Sequence, residues 1–231
     1  MSNFPFPVMI FAAGFGTRMG ALTRTRPKPL IPVAGRPLID RALALVRDAG
    51  ASHIVANTHY LAEKLERHLD GTGVLTHRET PEILDTGGGL KAALPLLAPK
   101  TAVATLNPDV IWRGPNPLSL AADHWNPAEM DALLVCVPLS RTRGRAAPGD
   151  FSLDDKGRLH RGGDFVFGGC QIIAPHVLDQ MAGLAFSLND VWNLIASRQR
   201  LFGVRHPGPW ADVGHPEGIE IAETLLLEPD V

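Results

Sequence analysis

The chain has 231 residues, 45% of them hydrophobic, and a formal net charge of −2 at pH 7. This length suits one sizeable α/β domain and is short for two. The small net charge argues against a nucleic-acid-binding protein, and no apolar stretch approaches the roughly 20 residues of a membrane helix. The apolar run near the amino terminus lacks a basic leader, which indicates a strand rather than a signal peptide. We therefore expect a cytoplasmic protein with neither membrane nor nucleic-acid partners.

The first half of the chain is predicted to alternate strands with helices. The predicted strands cover 8–12, 53–57, 74–77 and 101–106, and the predicted helices cover 38–49, 61–69, 89–97 and 118–125. Apolar runs bounded by Gly or Pro support the strands, and apolar residues at helical spacing support the helices. This alternation predicts a Rossmann-like, doubly wound, mostly parallel α/β sheet with helices on both faces. Ligands of such sheets bind beyond the carboxyl ends of the strands.

The second half has a more mixed pattern. The predicted elements are strands over 132–138, 168–174 and 201–204, a hairpin of 151–153 and 159 around "DDKG", and helices over 188–197 and 216–227. We expect one domain over 1–231, with this half building a mixed part over the sheet. The stretch "RTRGRAAPGD" (141–150) is predicted to be a mobile surface loop. Cys136 and Cys170 lie in apolar contexts, which indicates buried, reduced thiols.

A glycine-rich segment, "AAGFGTRMG", follows the first predicted strand. Gly14, Gly16 and Gly20 are spaced one residue too long for the dinucleotide fingerprint, and the Gly-Lys-Ser/Thr of an ATPase loop does not follow. The prolines of "ALTRTRPKPLIP" exclude a helix running straight through. These features predict a loop whose backbone N–H groups surround a phosphate, with fixed positive charge from Arg18 and Lys28.

The longer stretch "AAGFGTRMGALTRTRPKPLIPVAGRPLI" resembles the signature of the sugar-1-phosphate nucleotidyltransferases, and the chain is most like their N-acetylmuramate-1-phosphate uridylyltransferases. It keeps the A-A-G-x-G-T-R, P-K-P and G-x-P-L-I blocks in order, with "MGALT" in place of Met-x-Pro-Leu-Thr. The resemblance implies that Arg18 acts on the leaving pyrophosphate and Lys28 on the phosphates at the reacting centre. With the similar segment "ETPEILDTGGGLKAALPLL", it implies nucleotide binding by Ala12, Ala13, Gly14, Gly16, Thr17, Gly87 and Gly88.

Two further blocks, "LNPDVIW" and "GPWADVGHPEGIEIAE", are similar to the family segments that hold Mg²⁺. The resemblance implies that Asp109 and Asp212 are the metal ligands, in keeping with the few carboxylates that triphosphate-bound Mg²⁺ takes. Asp109 could instead cap the turn that Pro108 begins. A zinc site at His206, Asp212 and His215 is the weaker interpretation, because neither a third strong ligand nor a Cys pair accompanies it.

The sugar side carries less specific signals. "PGDF", "FGGCQII" and "SLNDVW" are similar to family segments that border the sugar, which implies sugar binding by Gly149, Asp150, Gly169 and Asn189. Asp150 could equally cap the predicted hairpin. The carboxylate of an N-acetylmuramate substrate would require a cation, for which Arg143, Arg145 and Arg205 are candidates.

The resemblance implies a Mg²⁺-dependent enzyme that joins UTP to N-acetylmuramate 1-phosphate, giving UDP-sugar and pyrophosphate in cell-wall recycling. Residues 1–130 would then bind mainly the nucleotide and residues 131–231 mainly the sugar. Mannose-1-phosphate guanylyl-, glucose-1-phosphate thymidylyl- and phosphocholine cytidylyltransferases are the alternatives within the family. A non-catalytic nucleotide-sugar-binding protein is the alternative outside it. No sequence feature indicates an oligomeric state.

Overall fold

The computed structural model describes residues 4–145 and 148–229, so residues 146 and 147 of the predicted mobile loop lie outside the described residues. The described strands are β1 (Val8–Ile10), β2 (Pro32–Val33), β3 (Arg36–Pro37), β4 (Ile54–Thr58), β5 (Leu75–Arg78), β6 (Val103–Leu106), β7 (Val110–Trp112), β8 (Ala132–Pro138), β9 (Thr142–Arg143), β10 (Phe151–Leu153), β11 (Leu159–Arg161), β12 (Phe165–Ile173), β13 (Leu201–Arg205) and β14 (Trp210–Asp212). The α-helices are α1 (Leu38–Asp48), α2 (Ala62–Leu69), α3 (Asp85–Leu97), α4 (Pro117–His124), α5 (Leu188–Ser197) and α6 (Glu217–Leu227).

Nine strands form the central sheet. Its main path runs β5-β4-β1-β6-β12-β10-β11, and β8 pairs with β12 and carries β13 on its other side. The first-half strands β1, β4, β5 and β6 are all parallel, whereas β12 is antiparallel to β6, β8 and β10. The predicted parallel sheet is therefore present, and the second half extends it with antiparallel strands. Both halves of the chain contribute strands to one sheet.

The core lies on both faces of this sheet. Val8 and Ile10 of β1 pack into one cluster with α1, α2 and α4. Met9 points to the opposite face and packs with α3 and α5. Because successive strand residues face opposite sides, this division confirms the doubly wound arrangement. Every residue of β1, β4 and β6 is buried, as expected for strands covered on both faces.

A third hydrophobic cluster lies beside the carboxyl ends of the parallel strands and joins the glycine-rich loop to α6. Its buried members are Met19, Ile31, Val33, Leu38, Ile111, Ala211, Val213, Ala222 and Leu225. The backbone N–H of Ala34 also donates to Glu223 Oε1 of α6 at 2.7 Å. A three-stranded sheet of order β7-β14-β9 passes through this cluster. The chain's last helix therefore supports the loop that follows its first strand.

One predicted helix bound was wrong. Helix α3 begins at Asp85 rather than at residue 89, so the glycine run lies inside its first turns. The first N–H groups of a helix have no intrahelical partner, and here the carbonyl of Phe186 accepts from both Gly87 and Gly88. The segment after Pro175 is a 3₁₀ helix. Among the described residues, no helix is both long and apolar enough to cross a bilayer.

Candidate active site

Two adjoining cavities lie at the carboxyl ends of β1 and β6. The loop-side cavity is lined by Phe11, Ala13, Gly14, Asn57, Glu79, Ile83, Asp85, Thr86, Asn107 and Asp109. The bulge-side cavity is lined by Phe11, Arg18, Thr86, Asn107, Asp109, Val110, Arg145, Asp150, Phe151, Arg161, Phe167, Gly168, Gly169, Leu188, Asn189, Trp192, Trp210 and Asp212. Four residues are common to both linings: Phe11, Thr86, Asn107 and Asp109. Two ligands could therefore bind side by side and meet at Asp109.

Lys28 and Asp109 form an ion pair where the cavities meet. The Lys28 Nζ lies 2.5 Å from Asp109 Oδ2, and the two side chains are only 12% and 27% exposed. Lys28 begins a short 3₁₀ turn after Pro27, and Asp109 lies in the turn between β6 and β7. Residues that are 81 positions apart in sequence are thus brought together beside the phosphate loop. Pro108 is accommodated because it lies between two strands, where no ladder hydrogen bond from its nitrogen is needed.

Asp212 lies on the neighbouring strand of the small sheet. β14 runs antiparallel to β7 with Asp212 opposite Val110, and the Val213 N–H donates to the Asp109 carbonyl at 2.9 Å. Burial raises the pKa of Asp212, and the negative charge of Asp109 raises it further, while Lys28 and other nearby cations oppose the shift. Two carboxylates predicted to act together therefore face one cavity and repel each other.

The predicted phosphate loop is held by its glycines and by a threonine. Gly16 has a φ of 64°, and a Cβ there would lie 2.9 Å from both Lys28 Cβ and Thr23 Cγ2. The Thr23 hydroxyl donates to the carbonyl of Gly16 at 3.1 Å. Gly14 has open space around it and lines the loop-side cavity. Gly16 thus lets the loop close onto Lys28, whereas Gly14 leaves room for a ligand.

An Asn–Glu pair that the sequence analysis missed fixes the floor of the loop-side cavity. Asn57 Oδ1 accepts from the Ala12 N–H at 2.6 Å, and Asn57 Nδ2 donates to Glu79 Oε1 at 2.7 Å. Glu79 is 1% exposed, and its Oε2 accepts from the Leu84 N–H at 2.7 Å. Three segments that line the cavity are therefore connected through buried side chains. The sequence signal that could have found this pair is a polar residue at the end of each of two neighbouring parallel strands, Asn57 in β4 and Glu79 after β5.

The triple glycine of α3 serves close packing. A Cβ at Gly87 would lie 2.5 Å from the Phe186 ring, and one at Gly88 would lie 2.1 Å from the Leu184 carbonyl oxygen. At Gly89, a Cβ would lie 2.4 Å from Glu79 Oε1. Gly87 and Gly88 do not line either cavity, although the adjacent Thr86 lines both. Their nucleotide-binding role stays a prediction, and the structure adds this packing requirement.

Some of the remaining residues predicted to act on the nucleotide line a cavity, and others lie behind the lining. Ala13, Gly14 and Arg18 line a cavity, as do Asp109 and Asp212. Those that stand behind the lining are Ala12, Gly16, Thr17 and Lys28. Ala12 is buried against Asn57, and Thr17 begins a 3₁₀ segment that runs to Thr23. The segment forms separate 3₁₀ turns and contains no continuous α-helix, as its prolines predict.

A bulge in β12 shapes the other cavity. The pairing register with β8 shifts between Phe167 and Gln171, and Gly169 has a φ of 94°. A Cβ on Gly168 would lie 2.2 Å from the Trp112 ring, and one on Gly169 would lie 2.9 Å from Asn107 Cβ. Both glycines line the cavity. Bulges of this kind redirect a strand and bring its backbone close to a ligand.

Asp150 and its neighbours form one end of the bulge-side cavity. Asp150 Oδ1 accepts from Arg145 Nη2 at 2.6 Å, and Oδ2 accepts from the Phe167 N–H at 2.9 Å. Gly149 lies behind the lining, where a Cβ would clash with the Phe165 carbonyl at 2.7 Å. Of the three candidate arginines, Arg145 lines the cavity, whereas Arg143 and Arg205 do not.

Another part of the lining is aromatic and carries Arg161, an arginine that the sequence analysis missed. The Phe167 and Trp192 rings meet edge to face at 4.8 Å, and the Trp192 indole N–H donates to Gln171. The Arg161 guanidinium lies over the Phe151 ring at 4.7 Å. Asn189 lines the cavity, and its Oδ1 accepts from Arg161 Nη1 at 3.0 Å. Its role in sugar binding stays a prediction.

The zinc interpretation fails for the part of the chain that the structure describes, where no group of three or more His, Cys, Asp or Glu residues could hold a metal. His206 is buried, and its ring nitrogens bond to backbone groups of Pro115 and Gly208. Cys136 and Cys170 are buried and free, as predicted, and burial raises the pKa of both thiols. Neither thiol is suited to nucleophilic chemistry.

These features define a nucleotidyltransferase-type domain. The chain belongs to the MobA-like NTP transferase domain family, whose model matches residues 8–192. It is 35% identical to N-acetylmuramate alpha-1-phosphate uridylyltransferase of Caulobacter vibrioides over 99% of this chain and 100% of that protein. It is 34% identical to the protein of the same name from Neisseria meningitidis serogroup B, over 94% and 96% of the two chains.

The fold is also that of a solved structure described as a putative glucose-1-phosphate thymidylyltransferase from Bacillus anthracis. The TM-score is 0.79, with 14% identity, and the match covers 97% of this chain and 96% of the other. At this identity the likeness establishes the fold alone. Asp212 lies beyond the range of the family model, so its place in the site rests on the geometry described above.

Proposed function

We propose that the protein is a uridylyltransferase that joins UTP to N-acetylmuramate 1-phosphate and releases pyrophosphate. The observation that carries this proposal is the pair of cavities that meet at Asp109, next to Lys28 and the phosphate loop. A two-substrate transfer requires two ligands with reacting atoms in contact. The named activity of the relatives from Caulobacter vibrioides and Neisseria meningitidis supports this choice of substrates.

The loop-side cavity would bind the nucleotide. Its lining includes Ala13 and Gly14, and the Asn57–Glu79 pair fixes its floor. The backbone of a glycine-rich loop approaches phosphates closely and offers N–H donors. Arg18 at the edge of the bulge-side cavity would bind the pyrophosphate that leaves.

The bulge-side cavity would bind the sugar phosphate. Gly168 and Gly169 would let the pyranose approach the β12 backbone, and Asp150 and Asn189, which line the cavity, would bind its hydroxyl groups. Aromatic rings line the remaining wall. Sugar sites commonly combine an apolar ring face with a few placed polar groups.

The reaction needs no protein nucleophile. A phosphate oxygen of the sugar 1-phosphate forms a bond to the α-phosphorus of UTP, and the bond from that phosphorus to the pyrophosphate oxygen breaks. Since both reactants are anions, repulsion between them is the main obstacle. Lys28 and Arg18 would reduce it and stabilise the charge that develops on pyrophosphate. A base is unnecessary because the monoester is already ionised at neutral pH.

Mg²⁺ is the proposed cofactor, with Asp109 and Asp212 as its protein ligands. The donor set fits, because two carboxylates line one cavity and the negative charge of Asp109 raises the pKa of Asp212. Mg²⁺ usually takes one or two carboxylates and completes its shell with phosphate oxygens and water. When bound, the ion supplies Lewis acidity and a template for the phosphate oxygens.

The test is an assay of the purified protein with each of four nucleoside triphosphates and a panel of sugar 1-phosphates. Pyrophosphate release gives the rate, and the product mass identifies base and sugar. We expect UTP and N-acetylmuramate 1-phosphate to give the highest kcat/KM, with activity lost to EDTA and restored by Mg²⁺. Preference for GTP with mannose 1-phosphate, or for dTTP with glucose 1-phosphate, would overturn the substrate assignment. Absence of turnover with every pair would overturn the enzymatic function. We place the reaction in the cytoplasm, where UTP is available.

A further inference from the structure

Arg161 is an arginine that the loop chemistry does not use, yet it is held firmly in the wall of the bulge-side cavity. Its guanidinium lies 4.7 Å from the Phe151 ring centre and 5.7 Å from that of Trp192. Nε donates to Asn193 Oδ1 at 2.9 Å, and the two Nη atoms donate to the Asn189 side chain and carbonyl at 3.0 Å each. Stacking and hydrogen bonding therefore fix the plane of this guanidinium.

The charge of Arg161 lacks an ion-pair partner among the described residues. Its hydrogen-bond acceptors are all neutral amide oxygens, whereas Arg145, which lines the same cavity, is paired with Asp150 at 2.6 Å. Burial lowers the pKa of Arg161, and the more distant carboxylates Asp150 and Asp190 oppose that shift. A guanidinium stays protonated under these conditions. A guanidinium that lines a cavity, is stacked on aromatic rings and has no ion-pair partner among the described residues is suited to an anionic ligand.

Arg161 belongs to a different part of the cavity from the proposed reaction centre. Arg161 bonds to α5 and stacks on Phe151. Asp109 and Asp212 lie on the β6–β7 turn and on β14, in a group of charges that includes Lys28 and Arg18. The phosphates of both substrates would already be matched by that group. An anion at Arg161 would therefore be a second charged group of the sugar substrate.

Arg161 keeps free donors for an anion, and its aromatic surroundings indicate what carries that anion. A guanidinium has five N–H groups, and three of those on Arg161 are used by Asn189 and Asn193. Two remain, one on each Nη atom, and both can donate to an anionic group of a ligand. The stacked rings beside them suit an apolar substituent that carries the carboxylate.

From this geometry we infer that Arg161 is a specificity-determining residue that binds a carboxylate on the sugar and so selects carboxylated hexose 1-phosphates. This inference rests on the proposed function and extends it from the sugar-phosphate class to a particular contact. Arg161 differs from the three arginines that the sequence had suggested for this task. It acts on substrate choice, since the transfer chemistry takes place at Asp109.

The experiment compares Arg161→Met with the unaltered protein on two matched substrates. N-acetylmuramate 1-phosphate and N-acetylglucosamine 1-phosphate differ only in the lactyl ether that bears the carboxylate. We expect kcat/KM for the carboxylated sugar to fall about 10- to 100-fold in the variant, mainly through KM. For the uncarboxylated sugar we expect a change of less than about 3-fold. Arg161→Lys keeps the charge without the fork and should fall between the two.

Lys156→Met is the matched control, because Lys156 is an exposed cation in the turn of the same hairpin and lies outside the cavity. It should leave both substrates unchanged. Thermal melting establishes that each variant is folded, and Arg161→Lys serves if Arg161→Met is not. Equal losses on both sugars would overturn the inference, as would a preference of the unaltered protein for the uncarboxylated sugar. Absence of turnover with every sugar phosphate would instead contradict the proposed function itself.

Discussion

The two cavities are built in different ways. The loop-side cavity is formed by backbone and small residues that follow parallel strands, with Ala13 and Gly14 at its rim. The bulge-side cavity is formed by large side chains from β10, β11, β12 and α5, among them Phe151, Arg161 and Trp192. The first design suits a ligand part that does not vary, such as a triphosphate. The second suits a part that differs between related enzymes, since side chains change more freely than a backbone path.

The largest loss of activity is expected at Asp109, where the two cavities meet. Asp109→Asn removes the carboxylate that is common to both cavities and paired with Lys28. We predict that kcat falls by about 100- to 1,000-fold for every sugar tested, as for the loss of a charge-stabilising group at a reacting centre. Pyrophosphate release measures it, and Asp155→Asn in the exposed hairpin turn is the control. Turnover close to that of the unaltered protein would remove Asp109 from the mechanism.

The next effect should separate the cavities. Gly168→Ala places a methyl group within 2.2 Å of the Trp112 ring, and we predict a loss of about 1 to 3 kcal/mol in the free energy of unfolding from overpacking. KM for the sugar phosphate should rise while KM for UTP stays constant, because the bulge lines only the sugar side. Urea denaturation and two-substrate kinetics measure these changes. An equal rise in both KM values would mean that the cavities are not independent.

A matched pair of glycine substitutions sharpens the description of the loop-side cavity. Gly16→Ala meets both a positive φ and the Lys28 and Thr23 side chains, so we predict a loss of about 1 to 3 kcal/mol of stability. Gly14→Ala meets open space and should leave the melting temperature unchanged while weakening UTP binding. Calorimetric titration with UTP distinguishes the two. Comparable melting temperatures for both variants would contradict the assignment of Gly16 to loop structure and of Gly14 to ligand contact.

The smallest effect concerns the pH dependence of Asp212. Because its pKa is raised in the folded protein by burial and by Asp109, the ionised carboxylate destabilises the fold at neutral pH. That penalty is absent below the pKa of the unfolded chain and grows as pH rises through the folded value. Asp212→Asn should therefore melt higher than the unaltered protein at pH 7, and the difference should vanish on acidification. A lower melting point at pH 7 would reverse the sign of this argument.

Sequence patterns predicted the central fold well, because buried strands and amphipathic helices leave long periodic signals. They missed β7, β9 and β14, whose two or three residues are too short to show a period. That small sheet is what places Asp212 beside the Asp109 segment. The convergence of the two carboxylates was expected from the resemblance, but the register that achieves it could not be read from the sequence.

The site residues also fall into those that the sequence predicted and those that it did not. Gly16, Lys28 and Asp109 stand in recognisable blocks because the loop's backbone shape depends on residue type. Arg161 was missed because an arginine near a hairpin looks like a solvated surface residue. The hairpin register sets Arg161 opposite Phe151, and only the packing of that hairpin against α5 places the guanidinium beside Asn189. Long-range juxtapositions of this kind leave no local pattern.

Through the third hydrophobic cluster, the carboxyl-terminal helix α6 stabilises the glycine-rich loop near the amino terminus. α6 contributes Ala222 and Leu225 to the packing behind Met19 of the glycine-rich loop, and Glu223 holds the Ala34 backbone. A substitution on the inner face of this helix would destabilise the packing behind the phosphate loop without contacting any ligand. The first measurable effect of such a substitution in α6 would thus be a weaker affinity for the triphosphate.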